Sequence, residues 1–280
     1  MRKILYRDIV EATAKACIEA NIIASSDLIE AYQRAITKEV DELSGRIMHD
    51  LYENAKLAKS HHLPICQDTG TAVIFLEIGQ NVLIDGGFLM DAFQEGVADG
   101  YQKGYLRKSI VSHPLTRKNT GNNTPAVIHV DIVAEDVFKV TVAPKGGGSE
   151  NMSRLKMLTP SEGLEGFKEF VFETIRLAGP NPCPPIVVGA CLGGNFESCA
   201  LQAKKNLLRP IGQRHSDPEL SILEEKWLEE INALHIGPQG FGGKTTAFDV
   251  HLEFLPCHIA SMPAAVNLNC HVSRHQQFEL

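Results

Sequence analysis

Short apolar runs rich in β-forming residues alternate with amphipathic, helix-like stretches along most of this 280-residue chain. The runs TAVIFLEIG and PPIVVGACLGG are typical of strands, whereas SSDLIEAYQRAITKEV and PSEGLEGFKEFVFETIRLAG repeat their apolar residues with a helical period. Elements that alternate in this way pack as layers around a common core. The sequence therefore predicts an α/β fold, with mixed sheets flanked by helices and a helical N-terminal region.

The helical N-terminal region ends at a clear boundary. Ser25 or Ser26 is a suitable N-cap for one helix, and Pro64 stops the last helix of the region. The chain contains no internal repeat, low-complexity segment or serine-rich linker. We therefore expect one domain over residues 1–280, with a helical lobe over about residues 1–62.

Composition argues against two classes of partner, nucleic acids and membranes. The formal net charge is −7, which argues against a nucleic-acid surface but leaves room for a local cationic pocket that binds an anion. No apolar run approaches the ~18 residues that a membrane span needs. The seven cysteines form no C-x-x-C pair, and because no apolar stretch follows the basic residues of Met1–Tyr6 we expect no signal peptide. We expect reduced thiols, a cytoplasmic location, and neither a membrane nor a nucleic-acid partner.

The stretch GPQGFGGKTTAF superficially matches a phosphate-binding P-loop, but its spacing is wrong. The first glycine of that motif would fall on Pro238, and the residues after the lysine read as a strand rather than a helix. We interpret the segment as a tight connection in which Lys244 and Thr245 face a nearby group.

The stretches KGGGSEN and GACLGGN are better candidates for a functional loop. Consecutive glycines let backbone N–H groups converge on an anion such as a carboxylate, and Lys145 adds positive charge beside the first loop. In the second loop, Cys191 follows a strand and precedes a helix. We expect the N–H groups and the helix dipole to lower the pKa of its thiol.

Three cysteines lie at the ends of predicted elements, where loops converge: Cys66, Cys191 and Cys270. Three dispersed thiolates can bind zinc or an iron–sulfur cluster. The closely spaced ligand pairs of structural zinc are absent, and three distant cysteines suit a cubane with one iron unligated by the protein. Such an open iron acts as a Lewis acid on a hydroxyl or carboxylate. The spacing leaves these alternatives open.

Five motifs occur in the order seen in class I fumarate hydratases and L-tartrate dehydratases: CQDTGT, KGGGSEN, CPPIVVGACLGG, GPQGFGGKTTA and MPAAVNLNC. Over roughly residues 5–275 the chain resembles the α subunit, or N-terminal domain, of these oxygen-sensitive iron–sulfur hydro-lyases. The resemblance implies a [4Fe–4S] cluster whose fourth iron binds a C4 dicarboxylate. It also implies reversible hydration of fumarate to malate, with tartrate dehydration as the near alternative.

The resemblance assigns roles to individual residues. It makes Asp68 and His258 catalytic candidates. The implied substrate-binding residues are Gln67, Arg107, Gly147 and Gly148, and the implied cluster ligands are Cys66, Cys191 and Cys270. Simpler interpretations stay open: Asp68 as a turn-forming residue, Arg107 as a surface charge, and His258 as a core histidine.

Single-chain relatives continue into a second domain that supplies further substrate groups, whereas this sequence stops at Leu280. We therefore expect a separate β subunit that completes the site, in a hetero-oligomer such as α2β2. An iron–sulfur regulatory or scaffold protein without turnover is the alternative from another class. It would need only the cysteines, and gives no role to Gln67, Asp68 and Arg107 together.

Overall fold

A computed structural model describes residues 2–280 of the chain. The helices are α1 (Tyr6–Ile22), α2 (Ser26–Lys38), α3 (Glu42–His61), α4 (Leu89–Lys103), α5 (Gly147–Glu150), α6 (Gly163–Ala178), α7 (Phe196–Asn206) and α8 (Pro218–Asn232). The strands are β1 (Arg2–Leu5), β2 (Thr71–Gly79), β3 (Val82–Asp85), β4 (Val127–Val133), β5 (Phe138–Lys145), β6 (Arg154–Leu158), β7 (Ile186–Gly193), β8 (Ala247–Leu255), β9 (Met262–Asn269) and β10 (Gln276–Glu279). The predicted α/β class, with mixed sheets and a helical N-terminal region, is confirmed.

The chain folds as two compact units. The first contains residues 2–24, Ala55–Gly147 and Arg274–Leu280, and the second contains Ser25–Asn54 and Gly148–Ser273. The N-terminal helices, which we expected to form one lobe, are therefore divided: α1 belongs to the first unit and α2 to the second.

The first unit is built on a four-stranded mixed sheet in the order β10-β5-β2-β4. Strand β2 pairs antiparallel with β5 and parallel with β4, so it lies between two strands that follow one another in sequence. Helices α1 and α4 cover one face, where Ile74, Phe93 and Val140 belong to one buried core. Strand β4 forms one edge of this sheet.

The second unit has its own mixed sheet, in the order β6-β9-β7-β8. Strand β7 is central, antiparallel to β9 and parallel to β8. Its core contains Phe167, Val188 and Trp227, with α6 and α8 packed on the sheet.

Buried charges of the second unit neutralise one another. The carboxylate of Asp249 is fully buried; it pairs with Arg214 and accepts a 2.6 Å hydrogen bond from the Gly212 N–H. Burial alone would raise the pKa of Asp249, but His251, the Gly212 N–H and Arg214 together outweigh burial and lower it. The carboxylate of Glu224, also fully buried, pairs with Arg209 at 2.7 Å.

Within residues 2–280, no helix combines the length and the apolar character that crossing a bilayer requires.

Candidate functional site

The loop that precedes β2 presents a thiol, an amide and a carboxylate in succession. Cys66 is half-buried, Gln67 is exposed and Asp68 is half-buried. The Cys66 Sγ lies 3.5 Å from Oε1 of Gln67, a distance at which the thiol donates to the amide oxygen. Side chains of three different chemistries therefore share one partly open loop of the first unit.

Backbone N–H groups hold the carboxylate of Asp68 on both sides. Its Oδ1 accepts a 3.1 Å hydrogen bond from the Gly70 N–H, and its Oδ2 accepts a 2.8 Å hydrogen bond from the Gly147 N–H. The first contact is the Asx turn of the simpler interpretation. The second connects Asp68 to the glycine loop after β5, so the Gly147 N–H that we assigned to a substrate carboxylate here binds the carboxylate of Asp68.

Buried side chains far away in sequence anchor this loop. The Tyr101 hydroxyl donates to the carbonyls of Thr69 and Gly70, at 2.7 and 3.0 Å. Burial raises the pKa of Tyr101 well above its ordinary value, so it remains a neutral donor. The Asn123 amide also donates to the Gly70 carbonyl, at 3.2 Å, and Arg274 donates to the Asp68 carbonyl. These donors fix the backbone that carries the candidate groups.

Gly70 is the residue that allows the loop to approach β5. Its φ is +74°, in the left-handed region that favours glycine. A Cβ at this position would lie 2.7 Å from both the backbone carbon and the carbonyl oxygen of Lys145. Only glycine satisfies the backbone angle and the close contact together.

In the described part of the chain, two other predicted substrate-binding residues, Arg107 and Gly148, form no hydrogen bond with the side chains of Cys66, Gln67 or Asp68. The Arg107 side chain is exposed and its carbonyl accepts a 3.0 Å hydrogen bond from the Thr69 hydroxyl. Within residues 2–280 its guanidinium forms no ion pair, so it is available to an anion. Gly148 belongs to the second unit, where its backbone is exposed and a Cβ would lie 3.2 Å from the Asn181 carbonyl oxygen.

His258 lies in the exposed connection between β8 and β9. Its Nδ1 accepts a 3.1 Å hydrogen bond from the Ala260 N–H, and its carbonyl accepts one from the Ser261 N–H at 2.9 Å. This exposure excludes the interpretation of His258 as a core histidine. Its Nε2 is free of that local turn, as a catalytic role would require.

Cys191 does not fit the role of an exposed thiolate. It lies inside β7 rather than after it, is fully buried, and packs with Cys199, Ala203 and Ala265. Its hydrogen bond with Cys199 and its burial raise the pKa of the Cys191 thiol, so the predicted lowering was wrong. The helix N-terminus that prompted the prediction begins at Phe196, and its free N–H groups are capped by the Asn195 side chain.

Cys183, which is not among the three cysteines that the sequence singles out, is a better placed thiol. It is exposed in the turn before β7, and its carbonyl accepts a 3.1 Å hydrogen bond from the N–H of His271. Because His271 follows Cys270 directly, the backbones at Cys183 and Cys270 lie close together. Cys270 is half-buried just after β9. Within residues 2–280, no three His, Cys, Asp or Glu side chains are gathered closely enough to form a metal site.

The loop that resembles a P-loop binds an anion of the chain itself. The carboxylate of Glu39 accepts hydrogen bonds from the backbone N–H of Lys244, at 2.9 Å, and of Thr245, at 2.7 Å. A Ser44 hydroxyl donates to the same carboxylate at 3.0 Å. The prediction of a tight connection facing a nearby group is confirmed, and that group is Glu39.

Comparisons with known proteins indicate the same family as the sequence motifs. The family model for fumarate hydratase (Fumerase) matches residues 10–279. A putative L(+)-tartrate dehydratase subunit alpha from Methanocaldococcus jannaschii is 44% identical over 262 residues, covering 91% of this chain and 92% of the relative. The L(+)-tartrate dehydratase subunit alpha of Escherichia coli K12 is 34% identical over 251 residues, covering 89% of this chain and 82% of the relative.

Proposed function

Since the chain belongs to the fumarate hydratase (Fumerase) family, we propose that it is the α subunit of an iron–sulfur hydro-lyase that adds water reversibly to fumarate, giving malate. The observation that carries the proposal is the anchored loop before β2, which presents Cys66, Gln67 and Asp68 from a backbone that Tyr101 and Arg274 hold. A chain that needed only a structural turn would not require a thiol, an amide and a carboxylate together.

Each of these side chains has a chemical task in the proposed reaction. Hydration adds a hydroxyl to one carbon of fumarate and a proton to its neighbour. The [4Fe–4S] cluster, when bound, supplies an open iron that acts as a Lewis acid on the hydroxyl. Asp68, held by two backbone N–H groups, transfers a proton through one of its carboxylate oxygens.

Two cationic or polar groups of the first unit suit the substrate carboxylates. The exposed Gln67 amide donates hydrogen bonds to one carboxylate. The Arg107 guanidinium offers a charge-assisted contact to the other. His258, on its exposed loop, is the second candidate for proton transfer, and Gly148 remains a candidate N–H donor.

We propose Cys66 and Cys270 as cluster ligands, and the structure favours Cys183 over Cys191 as the third. Cluster ligation needs a thiolate that iron can reach. Cys183 is exposed and adjoins Cys270 through the His271 hydrogen bond, whereas Cys191 is fully buried among apolar side chains. The motif CPPIVVGACLGG contains both cysteines, so the motif itself does not decide between them.

The names of the relatives support two further parts of the proposal. Both are called subunit alpha, which supports a separate β subunit that completes the site in an assembly such as α2β2. Both are also called L(+)-tartrate dehydratase, which makes dehydration of L(+)-tartrate the second candidate reaction. The parts of the site are the same for both reactions, because each substrate is a C4 dicarboxylate with a hydroxyl next to a carboxylate in its hydrated form.

A series of cysteine variants tests the proposal. Anaerobically purified protein, co-expressed with its β subunit, should carry a cluster of about four irons, and the assay measures iron, sulfide and turnover of fumarate, malate and L(+)-tartrate. Serine at Cys66, Cys183 or Cys270 should remove most of the iron. Serine at Cys191 or Cys199, both fully buried, should leave iron content intact as long as the protein folds.

The results separate the alternatives. A full cluster in Cys183→Ser together with iron loss in folded Cys191→Ser would return the third ligand to Cys191. A full cluster in Cys66→Ser would refute the ligand assignment as a whole. A stable cluster without turnover of any of the three substrates, in the complete complex, would favour the regulatory or scaffold protein.

A further inference from the structure

Strand β4 is an exposed edge of the first unit's sheet. It pairs with β2 on one side only and ends the strand order β10-β5-β2-β4. Its apolar residues are unusually exposed to solvent: Val127 is 44% exposed, Val130 41% and Ile132 78%. An apolar edge strand of this kind is a template for pairing with another strand unless it is blocked. No proline, bulge or lysine interrupts β4.

The direction of the backbone groups along β4 follows from its register. The Val133 carbonyl accepts from Gln80, which continues β2. In a parallel ladder, alternate residues direct both their N–H and their C=O toward the same neighbour. The odd-numbered residues of β4 therefore direct their backbone N–H and C=O groups toward β2. The N–H and C=O groups of Ile128, Val130 and Ile132 point away from the sheet.

The sequence of β4, VIHVDIV, is nearly the same read in either direction about Val130. In an antiparallel pair of two such strands centred on Val130, Val127 lies opposite Val133 and Ile128 opposite Ile132. His129 of each copy then lies opposite Asp131 of the other. Residues directly opposite in an antiparallel pair share one face of the sheet, so in this register each imidazole lies next to a carboxylate of the other copy.

We propose that β4 is a homotypic interface, at which a second copy of this chain adds its own β4 antiparallel about Val130. In this register the outward N–H and C=O groups of Ile128 meet those of Ile132 in the second copy, and the two Val130 residues exchange theirs. The contact is isologous, as a two-fold dimer requires. The ring of His129, stacked on Phe75 at 5.2 Å between centroids, stays on the face where Asp131 of the second copy lies.

A second copy fits this edge better than an unrelated strand. Self-complementarity places each apolar residue opposite an apolar one and each imidazole opposite a carboxylate. An unrelated partner would have no reason to need a palindromic strand. The proposal concerns assembly of the chain with itself, and it does not depend on the proposed reaction.

Sedimentation velocity of the purified full chain, over a range of concentrations, tests the interface. Wild type should sediment as a reversible dimer. Val130→Lys places two ammonium groups opposite each other at the two-fold axis and should raise the dimer dissociation constant at least about 100-fold. Ile222→Lys, which changes an aliphatic residue of α8 that is 65% exposed, is the matched control and should leave dissociation unchanged.

Exchanging the residues at positions 129 and 131 tests the register. His129→Asp puts carboxylates opposite carboxylates and should weaken the dimer, and Asp131→His should weaken it as well. The double variant His129→Asp/Asp131→His restores opposite groups at both positions and should recover most of the lost affinity. Circular dichroism and thermal unfolding show whether each variant is folded.

Three results would overturn the proposal. The first is a wild-type chain that sediments as a monomer at every concentration. The second is a dimer that folded Val130→Lys does not weaken, since the contact would then lie elsewhere. The third is release of the β subunit, rather than of a second copy, when Val130→Lys is introduced into the complex, because β4 would then pair with a different chain.

Discussion

Replacing Gly70 with alanine tests whether the loop before β2 is as closely packed as the structure describes. Two separate costs are expected. An L-residue in the left-handed region costs about 1–2 kcal/mol. The new Cβ would also lie 2.7 Å from the backbone of Lys145, and relieving such an overlap in a packed region costs about 1–3 kcal/mol. The free energy of unfolding should therefore fall by about 2–5 kcal/mol.

Gly121→Ala separates the two costs. Gly121 belongs to the same unit and has φ +82°, but a Cβ there would meet no heavy atom within 4 Å. It should lose only the conformational part, about 1–2 kcal/mol. Equilibrium unfolding in urea measures both variants against wild type. If Gly70→Ala and Gly121→Ala differ by less than about 0.5 kcal/mol, the close approach of the loop to β5 is refuted.

Three further predictions concern chemistry and charge. Asp68→Asn should lower kcat by about 10²–10⁴ if Asp68 transfers a proton, and a loss of only a few-fold with the cluster intact would leave it a turn residue. Air should inactivate the enzyme, and ferrous iron with a thiol should restore it; undiminished activity after aeration with a chelator argues against an open iron. The lowered pKa of Asp249 contributes stability that is present above the unfolded-state pKa of about 3.9 and is lost as pH falls through the folded-state pKa. The stability of folded Asp249→Asn should therefore depend less on pH below about 4 than that of wild type, and equal urea-unfolding profiles would contradict this.

Sequence patterns located the elements well because periodicity is a local property. The alternation in TAVIFLEIG and the helical spacing in the Gly163–Ala178 segment correspond to β2 and α6. The pairing of the strands was harder to predict from the sequence. The two strands on either side of Glu135 look like a hairpin in sequence, yet both pair with β2 and not with each other. The choice of partner depends on a strand more than fifty residues earlier, which local pattern does not contain.

In the candidate site, too, contacts between residues far apart in sequence could not be predicted from local pattern. Cys66, Gln67 and Asp68 are adjacent in sequence, so their proximity was predictable. The anchors Tyr101 and Arg274 were not, because the fold alone brings them to the loop. In the sequence, Tyr101 looks like an ordinary residue of a helix and Arg274 like an ordinary residue near the C-terminus.

The position of Cys191 after a strand was predicted wrongly, because β7 continues to Gly193, two residues past it, and the thiol is buried. Cys183 offered one usable signal. Cys183 has prolines on both sides in the segment NPCPP, ahead of a strand, and Cys66 likewise precedes a strand and follows Pro64 by two residues.

The proposed hydration of fumarate is tested most directly by NMR in D2O, with fumarate added to the anaerobic, cluster-loaded complex of this chain and its β subunit. We predict that wild type forms malate with a single deuterium on the carbon next to the hydroxyl-bearing carbon, and that Asp68→Asn forms almost none. L(+)-tartrate, incubated in parallel, tests the second candidate reaction. If a complex with a full complement of iron and sulfide left both substrates unchanged, the chain would not be a hydro-lyase subunit of this kind.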